Sequence, residues 1–218
     1  MKFYAINGSP RKNNNTAKLL EKTLEGAQKE NPEIKTEIIN LYDLQFTGCT
    51  SCFACKRLNG VNYGKCGTKD ELTPILEKLA TADAIILGSP IYFGNITGEM
   101  KSFLERFVFP YLTYDANYTS LAPKKMLTAF IYTMNIKKEV AEEWNYPLIL
   151  AMNEKYLTNI FTEPETQWVY NTYQFNDYSK YKAEAFSLED KEEQRKNIFP
   201  IDLENAYNLG IKLAKKII

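Results

Sequence analysis

An α/β fold, with a doubly wound parallel sheet of five strands, is what this sequence predicts. Three observations carry the expectation. Apolar stretches alternate with helical patterns at intervals of about thirty to forty residues, the order that a parallel sheet with crossover helices requires. One stretch, Ala84-Ile85-Ile86-Leu87-Gly88, is continuously apolar, as a central strand buried on both faces reads. The first twenty residues run from an apolar strand through a tight polar loop into a helix. Five strands suit the order 2-1-3-4-5, which places ligands beyond the carboxyl ends of the strands, at the switch point beside the first.

Each element has a local reason. The first strand spans residues 2–7 and breaks at Asn7-Gly8. The first helix spans 15–29, with Leu19, Leu20 and Leu24 on one face, and Asn31-Pro32 ends it. Residues 36–41, TEIINL, read as the second strand. An irregular stretch over 42–68 holds all four cysteines. The second helix spans 70–80, with Pro74 early enough to be tolerated. The third strand spans 84–88, the third helix 97–107 and the fourth strand 125–133. Residues 137–156 read as mostly helical with a break at Pro147. The fifth strand spans 166–173, and a last helix spans 203–217 with Asp202 as its cap. A long polar insertion at 174–200 precedes that helix, its charged part over 189–196 reading as a solvated turn or two of helix. No repeat, low-complexity tract or linker divides the chain, so residues 1–218 are expected to form one domain.

Composition narrows the function. The chain is 44% hydrophobic and 25% charged, with 27 basic and 27 acidic residues. A zero net charge argues against a nucleic-acid partner. The chain opens on a strand and has no apolar run of membrane-spanning length, so no membrane is expected and a reducing, cytoplasmic setting is. There is no histidine. That removes imidazole acid/base chemistry and histidine triads, and shifts the expectation towards a bound cofactor.

Two loops carry the chemistry. Residues 8–16, GSPRKNNNT, lie between a strand and a helix N-terminus, where free N–H groups and the helix dipole favour an anion. Ser9, Asn15 and Thr16 add short donors and Arg11 a planar cation. Neither the P-loop pattern nor G-x-G-x-x-G is present, so the loop works with hydroxyls and amides in place of glycines. The same residues also suit an ordinary capped helix start. The second loop, residues 88–101, GSPIYFGNITGEMK, follows the buried strand with adjacent aromatics and a glycine, the edge that a flat ring needs.

Together these loops resemble the NADPH-dependent FMN reductase and multimeric flavodoxin branch of the flavodoxin-like superfamily. The matching residues are Gly8-Ser9-Pro10-Arg11 with Asn15-Thr16 and Leu19, then residues 89–98 with Met100-Lys101 and Phe103-Leu104-Glu105-Arg106. The resemblance covers about residues 1–135 and implies a flavodoxin-like fold. It implies that Ser9, Arg11, Asn15 and Thr16 hold the FMN phosphate. Pro90, Ile91, Tyr92, Phe93, Gly94 and Asn95 would line the isoalloxazine, with Thr133 and Asn135 from a third loop whose usual glycine is missing here. The implied activity is an NAD(P)H oxidoreductase whose chemistry is carried by the flavin N5, not by a side chain, with a small acceptor such as a flavin or quinone. A flavodoxin-type carrier without a nicotinamide site is the rival. The resemblance also implies a homodimer or homotetramer, with the third helix and the aromatic run 107–114 as the expected contact.

Cys49, Cys52, Cys55 and Cys66 have the ligand types of a 4Fe–4S cluster, and the layout is similar to that of iron–sulfur flavoproteins, whose last gap is shorter. A four-thiolate zinc site, a thiol–disulfide couple and unmetallated thiols suit the same four residues. The insertion at 174–200 reads as a flap over the flavin, an arm on a neighbouring subunit or a tolerated surface excursion.

Overall fold

The computed structural model describes residues 1–217. Five parallel strands form its centre: β1 (Lys2–Asn7), β2 (Lys35–Asn40), β3 (Ala84–Tyr92), β4 (Leu127–Thr133) and β5 (Glu165–Val169). Their spatial order is β2-β1-β3-β4-β5. Lys2 lies opposite Lys35, Phe3 opposite Ala84, Ala84 opposite Leu127 and Ala129 opposite Glu165. This is the expected flavodoxin-like arrangement, and the switch point falls between β1 and β3.

The period of two along the strands sorts side chains into two apolar layers. On one face Phe3, Ala5, Ile86 and Ile131 pack beneath the helices α1 (Asn15–Glu30) and α7 (Phe199–Lys215). On the other, Ile6, Ile85, Leu87 and Phe130 meet α3 (Gly98–Val108) and α5 (Tyr146–Ile160) through Phe103, Phe107, Leu157 and Phe161. The shorter helices are α2 (Leu72–Leu79), α4 (Lys138–Glu143) and α6 (Leu188–Glu193). Among the described residues no helix is long and apolar enough to cross a membrane.

Several boundaries differ from expectation for identifiable reasons. Strand β3 does not stop at Gly88. It continues to Tyr92, turns at Phe93-Gly94 and returns antiparallel, with Ile91 opposite Ile96 and Tyr92 opposite Asn95. Both turn residues have positive φ, 49° and 78°, the backbone of a tight hairpin turn. Strand β5 ends at Val169, short of Tyr173, because the chain kinks at Asn171 (φ 52°). The break in 137–156 falls at Asn145 (φ 56°), and Pro147 sits harmlessly in the first turn of α5. Asp70 precedes α2 and accepts from the Leu72 amide at 3.1 Å. Asp202 does not cap the last helix, which starts at Phe199 on a π-helical turn, Gln194–Ile198, and so Asp202 lies within the first turn.

The run at 107–114 is divided: Tyr114 is exposed and Phe109 and Leu112 line a groove of about 740 Å³ against α5, while Phe107 and Tyr111 pack inward. Phe107 stacks at 5.2 Å on both Phe103 and Phe161, and Tyr111 meets Phe161 edge-on at 5.8 Å. The insertion is not wholly solvated either, since Lys191 and Gln194 are buried.

Candidate functional site

The phosphate-loop residues are placed by hydrogen bonds to both neighbouring strands. Buried Asn7, the last residue of β1, donates from its side chain to Asn40 at 2.9 Å and accepts from the Ser9 amide at 3.0 Å. The Gly8 amide donates to the Gly88 carbonyl at 2.8 Å, and Thr97 Oγ1 donates to the Gly8 carbonyl at 2.7 Å. Loops 8–16 and 89–97 are thereby fixed to each other.

Helix α1 then begins with its N-terminus open. Asn14 holds the cap position but its side chain makes no capping bond, and the first turn has no acidic residue. Thr16 faces inward, with its Oγ1 2.8 Å from that of Thr133. An uncapped N-terminus retains both its free N–H groups and its partial positive charge. By contrast α3, at the next loop, is capped by Thr97, which accepts from the Met100 amide at 3.3 Å.

These elements enclose a cleft of about 240 Å³ at the carboxyl ends of β1, β3 and β4. Ser9, Arg11, Asn15 and Thr16 lie on one side, residues 90–93 on another, and Thr133 and Asn135 at the back. Gly94 and Asn95 do not line it. Gly94 is at the hairpin tip against Tyr146, and the Asn95 side chain accepts from the Ile96 amide and from Asn153 Nδ2. Phe93 is fully exposed at the tip, a bulky residue in a left-handed conformation. Such strain needs support from the surroundings and clusters at functional sites. No carboxylate lines the cleft among the described residues.

The sequence reading missed one wall. Asn14, Met134, Thr172, Tyr173 and Gln174 also line the cleft. Arg11 Nη1 donates to the Gln174 carbonyl at 2.5 Å, Asn15 Nδ2 to that of Tyr173 at 3.1 Å, and Asn135 Nδ2 to Gln174 Oε1 at 2.7 Å. Behind this wall Lys191, only 1% exposed, donates to the carbonyls of Asn135 and Thr172. Burial first, then the neighbouring Lys137, pulls its ammonium down to about 8. The available signal was the Thr172-Tyr173-Gln174 polar run directly after the last strand, at the same sheet edge as the other loops.

The four cysteines meet at a second place, beside α3. All of them line one small cavity of about 20 Å³, Cys49 and Cys52 at its exposed rim and Cys55 buried. Helix α3 organises it. Glu105 accepts from the Cys49 amide at 3.2 Å, and Arg106 donates through Nε to Cys66 Sγ at 3.3 Å. Arg106 is buried, pairs with Asp70 and also donates to the Thr47 carbonyl at 3.1 Å. Burial alone would raise the Asp70 carboxyl, but the bonds and charge of Arg106 hold it below the usual range. Ser51 and Phe53, between the cysteines, both have φ 55°, a left-handed geometry of the kind that turns successive amides towards an anion.

Among the described residues no three His, Cys, Asp or Glu side chains converge tightly enough to hold a single metal ion. A cubane cluster sets its irons at separate corners and its thiolates further apart. The donor set fits such a cluster, whereas the cavity, about one water in size, fits it only if the exposed 49–53 segment yields.

The family model for NADPH-dependent FMN reductase matches residues 1–141. An iron–sulfur flavoprotein of Archaeoglobus fulgidus is 44% identical over 106 residues, 49% of this chain and 48% of that protein. One from Methanocaldococcus jannaschii is 40% identical over 106 residues, 49% of this chain and 51% of its own. The chain thus spans about half the length of the curated relatives it matches. An NAD(P)H:quinone oxidoreductase from Methanothermobacter marburgensis superposes with TM-score 0.70 at 14% identity, over 98% of both chains. A Bacillus anthracis FMN-dependent NADH-azoreductase, solved with FMN, superposes with TM-score 0.64 at 15% identity, over 100% of this chain and 99% of its own. These structures share the fold. With the family match extending over the strand, phosphate-loop and ring-loop segments that build the cleft, the chain belongs to the NADPH-dependent FMN reductase family.

Proposed function

We propose that the chain is an FMN-dependent NAD(P)H oxidoreductase, taking electrons from a nicotinamide and passing them through FMN to a small acceptor such as a flavin or quinone. One observation carries this reading: the uncapped start of α1, with Arg11 beside it, opens onto a carboxylate-free cleft at the switch point of the sheet. The family match and the acceptors named for the structural relatives agree with it. The reading takes the chain as one domain, supported by two apolar layers that share one sheet.

Bound FMN supplies the hydride and electron chemistry, so the protein needs no nucleophile or base of its own. Its residues position and shield. The α1 amides, Ser9, Asn15, Thr16 and Arg11 hold the phosphate, and the Arg11 and Asn15 side chains exchange the carbonyls of Gln174 and Tyr173 for its oxygens. Residues 90–93 give the ring an edge of backbone and apolar surface, Tyr92 and Phe93 limiting water on that side. Thr133, through its contact with Thr16, joins the phosphate end to the back wall.

The test is the absorption spectrum of protein purified without oxygen, before and after NADPH. A flavin spectrum that bleaches is expected. A spectrum that persists until dithionite is added would remove the nicotinamide from the reading, and a colourless protein that takes up no FMN would overturn it. Ser9→Ala combined with Thr16→Ala is expected to weaken FMN binding at least roughly tenfold, the cost of one or two charge-assisted hydrogen bonds.

A second reading, an iron–sulfur flavoprotein, is favoured by the four cysteines around one cavity and by the names of the relatives matched over about half of the chain. Cys49, Cys52, Cys55 and Cys66 would hold the cluster and Arg106 would donate to the Cys66 sulfur. Iron and acid-labile sulfide in anaerobically prepared protein are its expected signature; freely titrating thiols without either would remove it.

A further inference from the structure

Lys191 is a buried cation, and among the described residues no carboxylate accompanies it. The side chain is 1% exposed and belongs to α6, within the insertion. A lysine so enclosed is rare unless an acid pairs with it. Here the adjacent Asp190 turns to Lys137 instead. The Lys191 ammonium donates to the carbonyls of Asn135 and Thr172 and lies 5.1 Å over the Phe186 ring. These neutral partners leave a net positive charge inside the protein. Anchoring the insertion does not require that charge, since a glutamine could donate to the same carbonyls at a smaller desolvation cost.

The position gives the charge a use. Asn135 and Thr172 line the back of the cleft, and the ammonium sits directly behind them. Both peptides are trans, so with their carbonyls drawn to Lys191 the following N–H groups, of Ile136 and Tyr173, point away from it. One turn further on, Arg195 lies 4.6 Å over the ring of Tyr173, a residue of the same wall. With no carboxylate lining the cleft among the described residues, the back wall is electropositive. Hydride transfer from a nicotinamide delivers two electrons and one proton. It leaves the flavin site one negative charge richer until a second proton arrives from solvent. A fixed positive charge behind the wall stabilises that state more than the one before it. We propose that Lys191 is a positioning residue for the redox chemistry: it holds the back wall electropositive, so that the cleft favours reduced over oxidised FMN more than it would with a neutral residue there. The proposal rests on the flavin reading of the cleft. Lys137 and Asp190 are the charged groups that face Lys191. Burial first, then Lys137 against Asp190, brings its ammonium to about 8. Negative charge arriving in the cleft raises it again, so above that pH reduction also draws a proton onto Lys191.

The test is the flavin midpoint potential of the whole chain loaded with FMN, together with FMN dissociation constants for the oxidised and the dithionite-reduced protein. Lys191→Gln keeps a donor for the carbonyls and removes the charge. It is expected to weaken binding of reduced FMN at least roughly tenfold more than that of oxidised FMN, a fall in potential of ~30 mV for a two-electron couple. Lys191→Arg, which keeps the charge, should stay near the parent. Equal losses in both redox states, with the potential unchanged, would make Lys191 a structural tie and overturn the proposal. The parent protein gives a second measurement that no folding defect of a variant can touch. Its reduction should take up one proton per two electrons below about pH 8 and rise towards two above it, a rise absent from Lys191→Gln. One proton throughout in the parent overturns the proposal while leaving the flavin cleft intact. A parent that binds FMN in neither redox state removes the flavin reading, and the proposal with it.

Discussion

Asp202 sits in the first turn of α7, where a helix dipole favours a carboxylate, yet burial pushes its pKa up to about 6. The folded protein therefore keeps a proton that the unfolded chain releases near pH 4. Stability from this group is fully present below that pH, falls as pH rises through about 6, and is then flat. Its cost at neutral pH is on the order of 2 kcal/mol, because the side chain keeps some exposure. Asp202→Asn, which retains an acceptor for Gln194 Nε2, is expected to raise Tm by several degrees at pH 7.5 and to change little at pH 4. An equal shift at both values would show that the native carboxyl is ionised throughout. The same scale explains which site residues were legible. Ser9, Arg11, Asn15 and Thr16 sit within one strand-to-helix step, so local pattern exposes them. Tyr173 and Gln174 reach the cleft, and Lys191 the back of its wall, only because β5 lies at the sheet edge beside β4 and the insertion folds back, and no short-range spacing encodes that.

Helices α1 and α7 cross at backbone contact. A Cβ on Gly26 would fall 1.9 Å from the Tyr207 carbonyl oxygen, and one on Gly210 1.8 Å from that of Thr23. Glycine inside a helix costs roughly 1 kcal/mol relative to alanine. Here the close approach offsets that loss by bringing two helices together over the sheet. Gly210→Ala should gain helix propensity and still destabilise, by about 1–3 kcal/mol, because the obstacle is rigid backbone. Urea unfolding reads this directly, and a variant at least as stable as the parent would mean that the pair separates freely. Because α1 begins at the phosphate loop, the variant should also loosen ligand binding at its open N-terminus. Element boundaries followed their own logic. The starts of α1 and α3 were legible from loop chemistry. The extension of β3 into a hairpin was not, since Ser89-Pro90-Ile91-Tyr92 has loop-like composition and is held as strand by β4, with Ser89 opposite Tyr132 and Pro90 opposite Thr133.

At the scale of the molecule, α5 carries apolar residues on two faces over its first half. Leu150, Leu157 and Ile160 face the core, while Leu148, Ile149, Met152 and Tyr156 face outward, Leu148 with 74% of its surface exposed. A helix with two apolar faces needs cover on both. Trp144, exposed just before it, extends the patch, and Tyr146 at its first turn touches the hairpin at Gly94. Part of the expected contact at 107–114 packs into the core, whereas Phe109 and Leu112 line a groove shared with Tyr156 of α5; we expect a homo-oligomer joined through α5. Light scattering on the purified protein should give two or four chains per particle. Leu148→Asp with Met152→Asp should give a monomer with unaltered helix content by circular dichroism, since neither side chain packs inward. Because the Phe93-Gly94 tip rests on Tyr146, the monomer should also hold FMN several-fold less tightly. A monomeric parent protein would overturn the assignment of this face; a monomeric variant with full flavin affinity would separate assembly from the site and leave the cleft complete within one chain.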